Sequence, residues 1–384
     1  MSSIWDELTG QTEAIAAVRG AAAGDGLAHS WLITGPPGSG RSTLAYAFAT
    51  ELLARPDRPG DLEQTAAQVA ARTHPDLTVL ATEAVIIKID DVRRLVSASQ
   101  FSPAVGRYRV MVIEDADRMT ERTSNVLLKA LEEPPERTIW ILCAPSEADL
   151  LPTIRSRVRT VRLRVPSVDD VAELISRRDG VSLSEAQSAA REAQAHIGMA
   201  HRLATDEQAR ARRRRTMELA LGIRSVSGAV LAAAELLEVA GQDAKAITEL
   251  QDAEEREQTL RSLGVAPGGT VPPALRAQLK ALEDDQKRRA TRSLRDGLDR
   301  ILVDLLSLYR DILLLQLGVE LEPVNLAIYA QLSAAAAAST PAQTLATLDA
   351  ITQARTRIEA NVSPALALEA MLVRAIRRPQ AAAR

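Results

Sequence analysis

The sequence predicts an α/β domain of parallel strands flanked by helices, then a small helical unit and an all-helical remainder. Three observations carry this. Residues 1–165 alternate helical and strand patterns, a glycine-rich turn joins a strand to a helix at Gly35–Thr43, and strand patterns cease after about Ser167. Only nine of the 384 residues are Phe, Trp or Tyr, so the cores are built from Leu, Ile, Val and Ala, which favours helices over aromatic-bearing sandwiches. With 46% apolar residues a chain of this length can bury two or three domains.

In chain order, a helix is predicted at Thr12–Ala23 and a strand at Ser30–Thr34, followed by the loop and a helix over Leu44–Leu53. Further strands fall at Leu77–Leu80, Arg109–Ile113 and Thr138–Cys143, an order that calls for helices on both faces of a parallel sheet. Ser167 is a candidate cap for the next helix, with Asp169 and Asp170 in its first turn, and the compact unit it opens runs from Val168 to about Thr205. The basic run Arg210–Arg215 reads as a solvated face or linker, with a DNA-backbone contact as the alternative. Beyond it, Leu231–Leu263 and Pro272–Leu302 are highly charged helical stretches around a Gly264–Pro273 turn, read as an antiparallel hairpin. Ile301–Leu317, Leu326–Ala338, Pro341–Asn361 and Pro364–Arg377 complete a bundle whose alanines suit close helix contact, including contact with other subunits. The expected domains are 1–165, 166–208 and 209–384, with the charged hairpin at about 240–295.

A net charge of −3 excludes a surface that is basic throughout, though not a local basic patch. A single cysteine, Cys143, excludes an internal disulfide and a cysteine-only zinc cage, and fits a reducing compartment. The N-terminal residues show no secretory pattern, and the most apolar stretch, Ile301–Leu317, is broken by Asp304, Arg310 and Asp311. The expectation is a soluble cytoplasmic protein with no membrane partner.

The turn Gly35-Pro-Pro-Gly38-Ser39-Gly40-Arg41-Ser42-Thr43 has the spacing of a phosphate-cradling loop, in which glycines let backbone N–H groups face phosphate oxygens ahead of a helix N-terminus. Arg41 stands where lysine is expected. Its guanidinium is larger and planar, so it fits a niche for a compact ammonium poorly, which brings the chain's own ATP hydrolysis into question. The chain has only five lysines among 47 basic residues, so a general drift toward arginine is the competing explanation. Ser42 keeps the hydroxyl that would touch magnesium, and Thr43 follows it. About 70 residues later the strand Val110–Ile113 ends in Glu114-Asp115, where an acid pair would hold magnesium and polarise water. The order is reversed from the usual Asp-Glu, so the base position, Asp115, is one methylene short.

These residues resemble a family, the bacterial DNA polymerase III clamp loaders of the AAA+ superfamily, and in particular their delta-prime subunits. The resemblance covers the first two domains. It rests on Leu8-Thr-Gly-Gln11, His29-Ser-Trp-Leu32, His74-Pro-Asp-Leu77, Glu114-Asp-Ala-Asp-Arg-Met119, Asn125-Val-Leu-Leu-Lys-Ala-Leu-Glu-Glu-Pro-Pro135 and Thr153-Ile-Arg-Ser-Arg157. In the last third, Leu308–Gly318 is similar to the family's collar helix. The resemblance implies an AAA+ P-loop domain, a helical lid and an all-helical collar. It makes Arg157 an arginine finger that reaches the ATP of a neighbouring subunit, a role suited to a permanent cation on a short turn.

The same likeness places ATP and magnesium at Gly35, Gly38, Ser39, Gly40, Arg41, Ser42, Thr43 and Glu114, with Asp115 as a degenerate base. Gamma/tau and delta subunits, the sliding clamp and primed DNA, reached through the complex, are the implied partners. The family's sensor-2 arginine aligns with His201, beside Arg202, and its sensor-1 polar residue with Ala144, next to Pro145. Residues 55–73 lack the four zinc-binding cysteines of gamma/tau, so no zinc is expected. The implied function is that of a stator which helps load the clamp. An active AAA+ motor or DNA-remodelling ATPase is the enzymatic alternative, and a pure scaffold the other.

Overall fold

The computed structural model describes residues 4–376 apart from 56, 59, 83–84 and 263–275, so the predicted Gly264–Pro273 turn lies outside the described residues. Two compact units result, Met1–Thr205 and Asp206–Arg384. The first contains α1 (Thr12–Ala23), β1 (Ser30–Thr34), α2 (Arg41–Leu53), α3 (Asp61–Ala70), β2 (Leu77–Leu80), α4 (Ile89–Ser99), β3 (Arg109–Ile113), α5 (Glu121–Glu132), β4 (Thr138–Ala144), α6 (Pro152–Arg155), β5 (Arg159–Arg162), α7 (Val168–Asp179), α8 (Leu183–Glu192) and α9 (Ile197–Thr205).

The five strands form one parallel sheet in the order β2-β3-β4-β1-β5. Parallel strands covered on both sides read as continuous apolar runs, and β1 and β4 are buried at every residue. Alternate side chains serve two cores. Trp31, Ile33, Val110, Val112, Ile141 and Cys143 pack with α1 and α2, whereas Leu32, Met111, Ile113, Trp140 and Leu142 pack with α4 and α5. Registers Leu32↔Leu142 and Ile113↔Leu142 bring the carboxyl ends of β1, β3 and β4 to one edge, where open α/β sheets bind ligands. The strand β5 is not among the strands predicted from the sequence.

Two quoted motifs act on this scaffold through buried polar groups. Gln11 donates to the Arg164 carbonyl at 2.8 Å and accepts from the Arg164 N–H at 3.0 Å, clamping the chain beyond β5. Asp76, fully buried, accepts from the N–H groups of Ala104, Val105 and Gly106 at 2.6–2.7 Å. The predicted cap at Ser167 forms: its hydroxyl accepts from Asp170 N–H and the Asp170 carboxylate accepts from Ser167 N–H.

The second unit is helical: α10 (Glu207–Gly222), α11 (Val226–Ser262), α12 (Arg276–Leu317), α13 (Tyr329–Ala337), α14 (Pro341–Glu359) and α15 (Pro364–Arg374). The two segments expected at Pro272–Leu302 and Ile301–Leu317 are one helix, α12, because nothing between them breaks the backbone. Packed with it, α11 forms the charged hairpin, where Gly297 sits so close to the Ala240 carbonyl that a Cβ would stand 3.2 Å from it. Farther along the hairpin Arg289 bonds both Asp252 and Glu255. The basic run is not a linker, since it lies within α10, and it is a solvated face only in part: Arg210, Arg214 and Arg215 are exposed, while Arg212 and Arg213 are half-buried. Arg212 bonds Asp243 at 3.0 Å, Arg213 bonds Asp304 at 3.0 Å and Asn325 at 2.6 Å, and Arg215 bonds Glu235.

Candidate functional site

The loop between β1 and α2 is shaped by glycine. Gly38 (φ 78°) and Gly40 (φ 93°) occupy the left-handed region, and Gly40 is the residue from which α2 starts. Gly35 is enclosed, since a Cβ there would lie 2.6 Å from Ser39 Oγ and 2.8 Å from Leu163. Ser39 Oγ is buried inside the loop without a hydrogen-bond partner. Ser42 and Thr43 occupy the first turn of α2 and are partly exposed. Arg41 folds back so that Nη1 donates to the Gly35 carbonyl at 2.9 Å, which ties the guanidinium to the mouth of its own loop. These residues fit a phosphate: backbone donors, a helix N-terminus and a fixed cation share one place.

Sequence reasoning missed what closes this loop. The His196 ring lies against Gly38, with its Cγ only 2.3 Å from where a Gly38 Cβ would be. The N–H of Ile197 donates to the Gly38 carbonyl at 3.4 Å, and His196 Nδ1 accepts the Met199 N–H at 3.2 Å at the start of α9. Gln194 (φ 50°) and Ala195 (φ 61°) hold consecutive left-handed conformations just before it, strain that a β-carbon-bearing residue adopts only when its surroundings impose it. The aligned His201 is engaged elsewhere, with Asp179 at 2.7 Å.

The acid pair is placed as the strand pattern required, at the end of β3, but both members are held. Glu114 accepts from the Tyr46 hydroxyl and, at 2.8 Å, from Arg72 Nη2, whose guanidinium stacks over the Tyr46 ring at 5.5 Å. Burial, and then the Glu114 carboxylate, push the Tyr46 hydroxyl pKa up. Asp115 pairs with Arg118 at 3.5 Å. Burial, followed by the Asp115 charge, raises the pKa of Asp117, which has one carboxylate oxygen buried without a partner. Cys143 is enclosed at the same edge, and burial pushes its thiol up to about 12. The carboxylate expected to hold magnesium is thus already paired with a cation through Oε1, so Glu114 does not fit the ion while Arg72 is in place. Tyr46 lies four residues after Ser42 on α2, a spacing that could have flagged it.

Arg157 follows α6. Its Nε donates to Glu132 at 2.7 Å, with a second bond from Nη2, while Nη1 donates to the Thr153 carbonyl at 2.7 Å and to Ser156 Oγ at 3.1 Å. The side chain keeps 33% exposure. Glu132 belongs to the Leu-Glu-Glu-Pro-Pro run, which therefore sets the direction of this arginine.

A family model described as "DNA polymerase III, delta subunit" matches residues 10–167. Over 135 residues the chain is 39% identical to DNA polymerase III subunit delta' of Pseudomonas aeruginosa, covering 34% of this chain and 41% of the relative. That segment is similar to delta-prime clamp-loader subunits. A delta' subunit of Haemophilus influenzae is 31% identical over 160 residues, 41% of this chain and 49% of its own. The gamma/tau subunit of Mycobacterium tuberculosis is 28% identical over 187 residues, 47% of this chain and 32% of its own. The chain thus spans less than half the length of these relatives. Among solved structures, a gamma subunit-related protein of Thermotoga maritima aligns over 94% of this chain and 98% of its own, at 19% identity and a TM-score of 0.43. Among the described residues no helix is long and apolar enough to cross a membrane.

Proposed function

We propose that this chain is a delta-prime stator of a DNA polymerase III clamp loader. It works in the cytoplasm, in a ring with gamma/tau and delta subunits, and helps that ring open the sliding clamp and close it on primed DNA. Arg157 carries the reading. It is a permanent cation on a short turn, oriented by Glu132 and still partly exposed, as a finger offered to a γ-phosphate on the neighbouring subunit would be. The match over residues 10–167 supplies the family context.

The chain's own loop takes a nucleotide through Gly35, Gly38, Ser39, Gly40, Arg41, Ser42 and Thr43, and turns it over weakly or not at all. Glu114 is held by Tyr46 and Arg72, Asp115 by Arg118, and Ala144 offers no polar side chain to orient water. The test is the primed-DNA- and clamp-stimulated ATPase of a reconstituted loader carrying Arg157→Ala in this subunit alone, with assembly checked by size. Turnover at the adjacent site falls by roughly tenfold or more while the complex stays intact. An unchanged rate retires the trans finger. The motor alternative draws on the gamma/tau relative and requires turnover by the purified chain alone.

A further inference from the structure

The acid at the end of β3 is coupled to a cation that the chain supplies itself. Arg72 adopts φ 55°, a left-handed conformation that costs a non-glycine residue energy, at the end of α3, where its N–H closes on the Val69 carbonyl at 3.0 Å. That backbone posture delivers the guanidinium both to Glu114, at 2.8 Å, and over the Tyr46 ring. Tyr46 is anchored on α2, the helix that begins at the phosphate loop, and donates to the same carboxylate oxygen. On the loop side a second guanidinium, Arg41, is fixed to the Gly35 carbonyl, and Ser39 Oγ is buried within the loop with no partner. A divalent ion at such a site does two things: it neutralises the acid, and it bridges to phosphate. Here Arg72 performs the first and Arg41 stands where the second is needed.

We propose that Arg72 replaces the divalent cation at this site, so that the loop Gly35–Thr43 binds the phosphates of a nucleoside di- or triphosphate without magnesium. The inference rests on reading the loop as a nucleotide site and is independent of any role for Arg157. Binding of ADP and of ATP to the full chain is measured by titration calorimetry, once with EDTA and once with magnesium chloride. The dissociation constant agrees within about threefold between the two conditions, whereas Arg72→Ala, which frees Glu114, makes binding at least about tenfold tighter with magnesium than without. Arg72→Lys retains a cation and stays metal-indifferent. Because the Arg72 side chain is half exposed, the variants are expected to fold, and thermal melting checks this. Wild-type binding that needs magnesium, Arg72→Ala binding that remains metal-indifferent, or no nucleotide binding in either condition overturns the proposal. A loss of loader turnover in Arg157→Ala alongside any of these leaves the stator reading standing, so the two fail separately.

Discussion

Replacing Gly38 by alanine tests how the helical end of the first unit is locked onto the phosphate loop. The new methyl meets two separate costs. Holding an L-residue at φ 78° costs about 1–2 kcal/mol whatever surrounds it. The Cβ would also lie 2.3 Å from His196 Cγ, far inside the ~3.5–4.0 Å of a carbon contact, so the ring has to leave. Overpacking of that kind costs about 1–3 kcal/mol. Its departure also breaks the Met199 N–H bond to Nδ1, a cap worth about 1 kcal/mol. Gly38→Ala therefore loses roughly 3–6 kcal/mol, His196→Ala about 1, and the double variant only about 2–3, because strain and the lost cap remain while the overlap is gone. Urea titration followed by tryptophan fluorescence reads this unit alone, since Trp5, Trp31 and Trp140 all lie in it. Losses that add to within about 0.5 kcal/mol would refute the reasoning, because sites that do not touch behave that way.

Other outcomes follow from buried polar groups. Asp76→Ala leaves three loop N–H groups without an acceptor and costs about 3 kcal/mol or more by the same fluorescence titration; a loss under about 1 would mean water replaces the carboxylate. Burial alone would raise the Asp76 pKa, but the three amide donors and Arg109 outweigh it and hold the group below the ordinary carboxylate range. Its stabilisation is therefore complete above an unfolded value of ~3.9 and lost as pH falls through the lower folded value, so the acid limb of the stability curve is shallower in Asp76→Asn. In the second unit, Asp311 is buried and accepts from Val324 N–H, Asn325 N–H and the Asn325 side chain; Asp311→Ala costs about 3 kcal/mol or more there, read as earlier loss of helical circular dichroism. Cys143, enclosed and with its thiol pushed up to about 12 by burial, resists a disulfide reagent at pH 8 until the chain unfolds; rapid labelling of the native protein contradicts its placement.

What the sequence disclosed was what local pattern encodes. Consecutive apolar residues gave β1, β3 and β4, and the glycine spacing gave the loop, because both are properties of neighbouring residues. The edge strand β5 is missing from the predicted strands since only Val161 of Arg159–Arg162 is buried, which leaves no apolar run to see. Likewise α12 was cut where composition turns from charged to apolar, although nothing there stops a helix. Around the candidate site, the positions of Gly35–Thr43, Glu114 and Asp115 were legible, but their partners were not. His196 reaches Gly38, and Arg72 reaches Glu114, only through left-handed backbone at Gln194, Ala195 and Arg72, conformations that no residue type in those positions announces. The ion pairs of α10 were hidden for a related reason: an arginine run looks the same in sequence whether its acids lie in solvent or on the next helix.

The central claim is that this chain acts through an arginine given to another subunit and not through its own loop. The most direct test compares two single substitutions, Arg157→Ala and Arg41→Ala, in otherwise identical reconstituted loaders, by primed-DNA- and clamp-stimulated ATP turnover. The account predicts a loss of roughly tenfold or more for Arg157→Ala and a change under about twofold for Arg41→Ala. The reverse pattern, turnover sensitive to Arg41 and indifferent to Arg157, would contradict it.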